Sequence, residues 1–131
     1  MPEETALRWI VLAETAAEPD LFEPLMKIIN DVRIPTILRE RCILALRPLV
    51  PKMHTKIIAT LLRHLVEKRN LPSGMKVLMY NVLLEQPTPT IIHIIVQKLM
   101  TVETCEFRRQ FVYETILSLI HNKEIRISRE T

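Results

Sequence analysis

Apolar residues recur along this chain at intervals of three and four, the period of a helix that buries one face. Ile57, Leu61 and Leu65 form one such stripe, while Lys56 and Arg63 fall on another. Prolines and short polar runs interrupt the stripes and end each helix. The pattern predicts helices over about 4–17, 20–30, 35–49, 52–68, 75–85 and 90–100, and a seventh that opens at Thr104.

The last two predicted helices have contrasting patterns. The sixth is apolar nearly all round, so we expect it to be buried on more than one side. The seventh carries a stripe made of Phe107, Phe111, Val112, Ile116, Leu119 and Ile120. After it, residues 124–131 alternate isoleucines with charges, which is typical of a frayed end or of the start of a following element. We therefore place a single helical domain at 1–123.

The odd-numbered helices begin roughly 32 to 37 residues apart, the spacing of helix-pair solenoids. Leu38 and Arg39 at the head of the third helix match Met75 and Lys76 at the head of the fifth. The single glycine and the 5% aromatic content disfavour a strand-rich fold. The predicted fold is all-α, an antiparallel helix-pair repeat forming an α-α superhelix of about seven helices.

The charge pattern excludes several classes of partner. Eighteen basic and 15 acidic residues give a net charge of +3, with the two signs interspersed. Nucleic-acid binding needs a concentrated basic patch, so it is not expected. No apolar run reaches the roughly 18 residues of a transmembrane helix. Cys42 and Cys105 are expected to be small buried residues, although a disulfide in a secreted parent chain remains the alternative.

Catalytic and metal-binding motifs are missing from the sequence. The four histidines lie in separate helices or at a helix end, without the spacing of a zinc site. One glycine cannot build a phosphate-binding or dinucleotide loop. We expect no enzyme activity, no catalytic residues, no metal site and no cofactor.

One group of basic residues has two interpretations. It consists of Lys52, Lys56, Arg63, Lys68 and Arg69. The first interpretation is the solvated outer face of the fourth helix. The second is a contact surface for anionic lipid headgroups or an acidic partner, because a basic amphipathic helix can lie on a membrane surface.

Three segments resemble a known family. The stretch from Met75 to Pro89 is similar to the basic-led helix, ending in Leu-Leu-Glu and a proline turn, of the vitellogenin and apolipophorin helical domain. The stretch from Phe107 to Leu119, with its Phe-Val-Tyr and Leu-Ser-Leu, resembles that domain's closing helix. Leu38-Arg39 and Ala45-Leu46-Arg47 are similar to the preceding repeat, so the resemblance covers about 10–120. The family also includes the microsomal triglyceride transfer protein.

The resemblance implies a non-catalytic structural domain of a lipid-transport protein that packs against a lipid-bearing β-sheet region. It also implies a secreted or secretory-lumen location. The alternative is a HEAT-like helical-repeat scaffold that binds a protein partner and is cytoplasmic. An exposed apolar strip would favour the first function, and a polar, charged groove would favour the second.

Overall fold

The computed structural model describes residues 3–67 and 70–130, with side chains to residue 122. Its helices are α1 (Glu3–Ala16), α2 (Phe22–Asn30), α3 (Thr36–Ala45), α4 (His54–Glu67), α5 (Ser73–Leu83), α6 and α7 (Glu106–Glu130). Helix α6 begins as Pro89–Ile94, continues as a π-helical turn over Ile95–Leu99 and ends at Met100–Val102. Two 3₁₀ turns, Pro19–Leu21 and Arg47–Leu49, precede α2 and follow α3. No strand occurs in these described ranges, which confirms the all-α prediction and its helix count.

The chain divides into two compact units, one ending at Gln86 and the other beginning at Pro87. In the second unit, α7 continues as a helix to Glu130, past the position at which the sequence pattern ends the domain. The domain limits 1–123 and 124–131 stay predictions.

Helix α3 is the centre of the first unit. It packs against α1 and α5 as well as against its sequence neighbour α2, and α4 packs against α5. Alternate helices are therefore neighbours, which is the arrangement of a helix-pair repeat. The side chains that are almost completely buried between these helices include Ile10, Leu25, Ile29, Ile43, Leu46, Leu49, Ile57, Leu61, Met75, Met79, Tyr80 and Leu83.

The end of α1 shows how distant residues complete a local turn. Ala17 has a φ of 49°, a left-handed conformation that costs a residue other than glycine about 1 kcal/mol. Its N–H donates to the Ala13 carbonyl over 3.0 Å, which closes the helix. Lys52 then donates to the Ala17 carbonyl over 2.8 Å. The lysine, 35 residues away in sequence, thus places its charge at the negative end of the helix dipole.

The second unit is held by a smaller core and a buried ion pair. The Thr88 hydroxyl accepts the Ile91 N–H over 3.2 Å and caps α6. The buried apolar residues of this unit are Ile91, Ile95, Leu99, Met100, Val112 and Ile116. The Glu103 carboxylate accepts from the Cys105 N–H over 3.3 Å and from Arg108. Glu103 therefore fixes the turn into α7, although the sequence pattern gave that role to Thr104.

The predicted stripe of α7 is only partly buried. Val112 and Ile116 are buried, and Phe111, Leu119 and Ile120 are half-buried. Phe107 is 86% exposed, so placing it on the buried stripe was wrong. Helical spacing puts residues on one side of a helix, but a residue is buried only where another element covers it.

Candidate interaction site

A large apolar concavity of the first unit crosses its three alternate helices. Leu7 of α1, Ile37 and Leu44 of α3 and Leu78 of α5 line it, and its volume is about 750 Å³. Leu7 is 43% exposed and Ile37 is 70% exposed. We call this surface the docking groove.

The groove exists because α3 is apolar on two faces. Leu38, Cys42 and Ala45 occupy the buried face at intervals of four and three. Ile37 and Leu44, seven residues apart, fall on a second face that the described part of the chain leaves open. A single buried stripe satisfies the packing of a helix, so the second stripe needs another explanation.

Carboxylates border the docking groove. Its lining includes Glu3, Glu4 and Glu40 and one basic residue, Arg41, which gives three negative charges against one positive and a net charge of −2. Arg41 Nη2 lies 2.9 Å from Glu14 Oε2, and Glu4 Oε1 lies 3.1 Å from Arg8 Nη2, so one charge of each sign is already paired. The groove therefore presents an apolar floor with an acidic border.

The only glycine of the chain lies against one of these carboxylates. A Cβ built on Gly74 would lie 2.8 Å from Glu40 Oε1. Any larger residue at this position would push the Glu40 side chain aside, because real Cβ atoms do not approach that closely. Gly74 thus lets the first turn of α5 sit against this carboxylate of α3.

The five basic residues singled out from the sequence have different surroundings in the structure. Lys52 donates to the Ala17 carbonyl. Lys56 Nζ lies 3.1 Å from Glu23 Oε1 and 5.2 Å from the centre of the Phe22 ring. Arg63 is exposed on α4 and forms no ion pair or hydrogen bond within the described chain. Lys68 and Arg69 lie outside the described residues. Two of the five residues therefore have partners within the fold, which the sequence pattern did not reveal.

A second concavity surrounds a buried arginine. Arg39, on α3, is 6% exposed and lies in the wall of a cavity of about 660 Å³. Its Nε donates to the Ile29 carbonyl at the end of α2 over 2.9 Å. The sequence pattern placed Arg39 at the head of a helix without marking it as buried, because arginine is rarely buried unless it is paired.

His64 and the two cysteines lie in the helical core or at its edge. His64 is buried, with Nδ1 2.9 Å from the Thr60 carbonyl and Nε2 2.8 Å from Asn30 Oδ1. Burial raises the pKa of the Cys42 thiol to about 12, so this thiol stays protonated at neutral pH. Cys105 is half-buried, and both cysteines are free. Within the described residues, no three His, Cys, Asp or Glu side chains come together as a metal site.

The comparisons add no family to this picture. No family model, curated protein or solved structure matches the chain. In the described part of the chain, no helix is both long and apolar enough to cross a membrane.

Proposed function

We propose that this chain is a non-catalytic helical-repeat interaction domain, and that the docking groove is its binding surface. The observation that carries the proposal is the second apolar stripe of α3, with Ile37 70% exposed beside Leu7 and Leu78. An exposed apolar concavity crossing three helices is typical of a surface that another element covers. No catalytic residue, metal or cofactor is part of the proposal.

The first candidate partner is a lipid-bearing β-sheet region of the same parent chain. The sequence resemblance to the vitellogenin-like helical domain supports it, and so does the apolar floor of the groove. Under this proposal the domain functions in lipid transport as part of the shell around the lipid. Its location would then be secreted or within the secretory pathway.

The second candidate partner is a separate protein, bound as on a HEAT-like scaffold. The acidic border made by Glu3, Glu4 and Glu40 favours it, because these carboxylates suit an amphipathic helix with basic flanks. Under this proposal the location would be cytoplasmic.

Two labelled Leu/Lys peptides of equal length and composition separate the candidates. One alternates leucine and lysine, which makes an amphipathic strand, and the other repeats leucine at helical spacing. Fluorescence anisotropy with the full chain measures both affinities. Tighter binding of the strand pattern supports the sheet partner, and tighter binding of the helix pattern supports the scaffold.

An Ile37→Glu variant tests the groove itself. We expect it to weaken binding of the preferred peptide at least tenfold, because a carboxylate would replace apolar contact and add to an acidic border. Leu12→Glu is the matched control, since Leu12 is an exposed leucine of α1 outside the groove lining. Equal binding by both variants and the wild type would refute the docking groove.

A weak contact with anionic lipid remains part of the proposal. Lys52, Lys56, Arg63, Lys68 and Arg69 would supply it, with Arg63 the described member that has no partner in the fold. We expect vesicles containing phosphatidylserine to recruit the chain modestly, and neutral phosphatidylcholine vesicles to recruit it less. Arg63→Gln should reduce recruitment, as measured by co-sedimentation, whereas recruitment that is insensitive to salt would exclude an electrostatic contact.

A further inference from the structure

The cavity beside Arg39 contains a buried charge that the protein only partly satisfies. A guanidinium has five N–H donors, and Arg39 uses one, Nε, to bond the Ile29 carbonyl over 2.9 Å. Within the described chain, no acceptor engages the four terminal N–H groups and no carboxylate lies within ion-pair distance. The side chain is 6% exposed, and its terminal nitrogens are not among the buried atoms that lack a partner, so they open onto the cavity. A mostly buried guanidinium with open donors gains from pairing with an anion.

One acid near Arg39 is already occupied. Together with the larger effect of Arg33, the Arg39 charge helps to lower the pKa of the Asp31 carboxyl, so the two groups interact electrostatically. However, Asp31 Oδ1 and Oδ2 each lie 3.0 Å from Arg33 nitrogens, Nε and Nη2. These hydrogen bonds from Arg33 lower the pKa of the Asp31 carboxyl, so Asp31 is ionised and engaged at neutral pH. Asp31 is therefore engaged by Arg33, and the donors of Arg39 that face the cavity are open to an external anion.

We propose that this cavity binds the carboxylate of a small amphiphilic ligand, with Arg39 as its anchor. The planar fork of a guanidinium matches a carboxylate through two parallel hydrogen bonds. Val32, Leu71 and Pro72 provide apolar walls, and Asn70 provides an amide. A volume of about 660 Å³ lies within the usual range of small-molecule pockets.

The lining of the cavity also bears on which anion would bind. Glu67 lines the same cavity as Arg39, so the described charged lining is one positive and one negative group. A doubly charged phosphate would feel the attraction of Arg39 and the repulsion of Glu67 more strongly than a singly charged carboxylate, so the apolar wall decides between them. This wall favours a carboxylate with a hydrocarbon segment. Such a group occurs on a fatty acid and at the carboxyl terminus of a peptide.

Titration of the ¹⁵N-labelled full chain tests the proposal. The probes are hexanoate, hexanol, inorganic phosphate, and acetyl-Ala-Leu with a free or an amidated carboxyl terminus. The readout is the chemical shift of the Arg39 Nε–H and the Asn70 side-chain amide. We expect saturable shifts with hexanoate or with the free peptide acid, and none with hexanol or the peptide amide. Whichever carboxylate binds more tightly identifies the source.

Three variants test whether a carboxylate binds at Arg39 rather than elsewhere on the chain. Arg39→Lys keeps the charge but loses the fork, and should weaken carboxylate binding at least tenfold. Val32→Trp should do the same by filling the cavity from a position that is 81% exposed, so it does not disturb the core. Arg47→Gln removes an exposed arginine that does not line the cavity and should leave binding unchanged. The proposal is overturned if phosphate binds more tightly than hexanoate, if hexanol shifts the same resonances, or if no probe shifts them. The docking groove plays no part in this test, so each proposal can fail alone.

Discussion

The two compact units treat a buried arginine differently. In the second unit, Arg108 donates from Nε and Nη2 to the two oxygens of Glu103 over 2.8 and 3.0 Å, and the pair is almost enclosed. In the first unit, Arg39 donates to one carbonyl and borders a cavity. The Arg108 charge is paired within the fold. The terminal donors of Arg39 open onto a cavity, which is the basis of the proposed carboxylate site.

The units also differ in how they bury apolar surface. In the first unit α3 has neighbours on several sides, and its inward residues are nearly inaccessible. In the second unit the long helix α7 leaves Phe107 and Leu117 exposed. The same helical period therefore produces a dense core in one region and a partly uncovered stripe in the other. Four measurements test this difference between the units.

The largest expected effect concerns the buried thiol of the first unit. With a pKa of about 12, Cys42 of the first unit should react with iodoacetamide at pH 8 about a thousandfold more slowly than an ordinary cysteine, because only the thiolate reacts. Mass spectrometry of a Cys105→Ser variant follows Cys42 alone. Labelling of that variant at the rate of the urea-unfolded chain would show that the core of the first unit is open.

The next largest effect concerns the ion pair of the second unit. Glu103→Ala should cost about 3–5 kcal/mol of unfolding free energy, because Arg108 would remain buried without its carboxylate. Urea denaturation followed by circular dichroism measures the loss. Glu114→Ala is the control, since Glu114 is exposed and bonds only Gln110 in the described chain. A cost below about 1 kcal/mol would mean that the pair is solvated.

A core truncation in the first unit should have a slightly smaller effect. Leu25→Ala should cost about 2–5 kcal/mol, because Leu25 is fully buried and its removal leaves a cavity. Leu12→Ala removes the same atoms from an exposed leucine of α1 and should change stability by less than about 0.5 kcal/mol. Similar losses for the two variants would contradict the assigned faces.

The smallest effect is expected at Phe107. Phe107→Ala should change the unfolding free energy by less than about 0.5 kcal/mol, because most of this ring is already in solvent. Ile116→Ala, on the buried side of the same helix, should cost about 2–5 kcal/mol. A loss above about 3 kcal/mol at Phe107 would restore the stripe that the sequence pattern predicts.

Much of the secondary structure was predictable from local signals. Helical periodicity, together with Pro19, Pro48, Pro72 and Pro87, located the helices to within a few residues, because a proline cannot continue the preceding turn. The antiparallel repeat followed from the spacing of the odd helices. The exact start of α7 was less predictable, since Glu103 rather than Thr104 supplies the side-chain acceptor there.

Tertiary structure alone decided which of the chemically suitable residues are exposed and which are buried. By polarity, Ile37 should be inside and Arg39 outside, and the structure reverses both. The reversal depends on the Ile29 carbonyl that receives Arg39, and on α1 and α5, which flank α3 but leave the Ile37 face open. These groups belong to other helices. Sequence determined the helices and their apolar stripes because those arise from contacts three and four residues apart, whereas the groove and the cavity arise from contacts between helices.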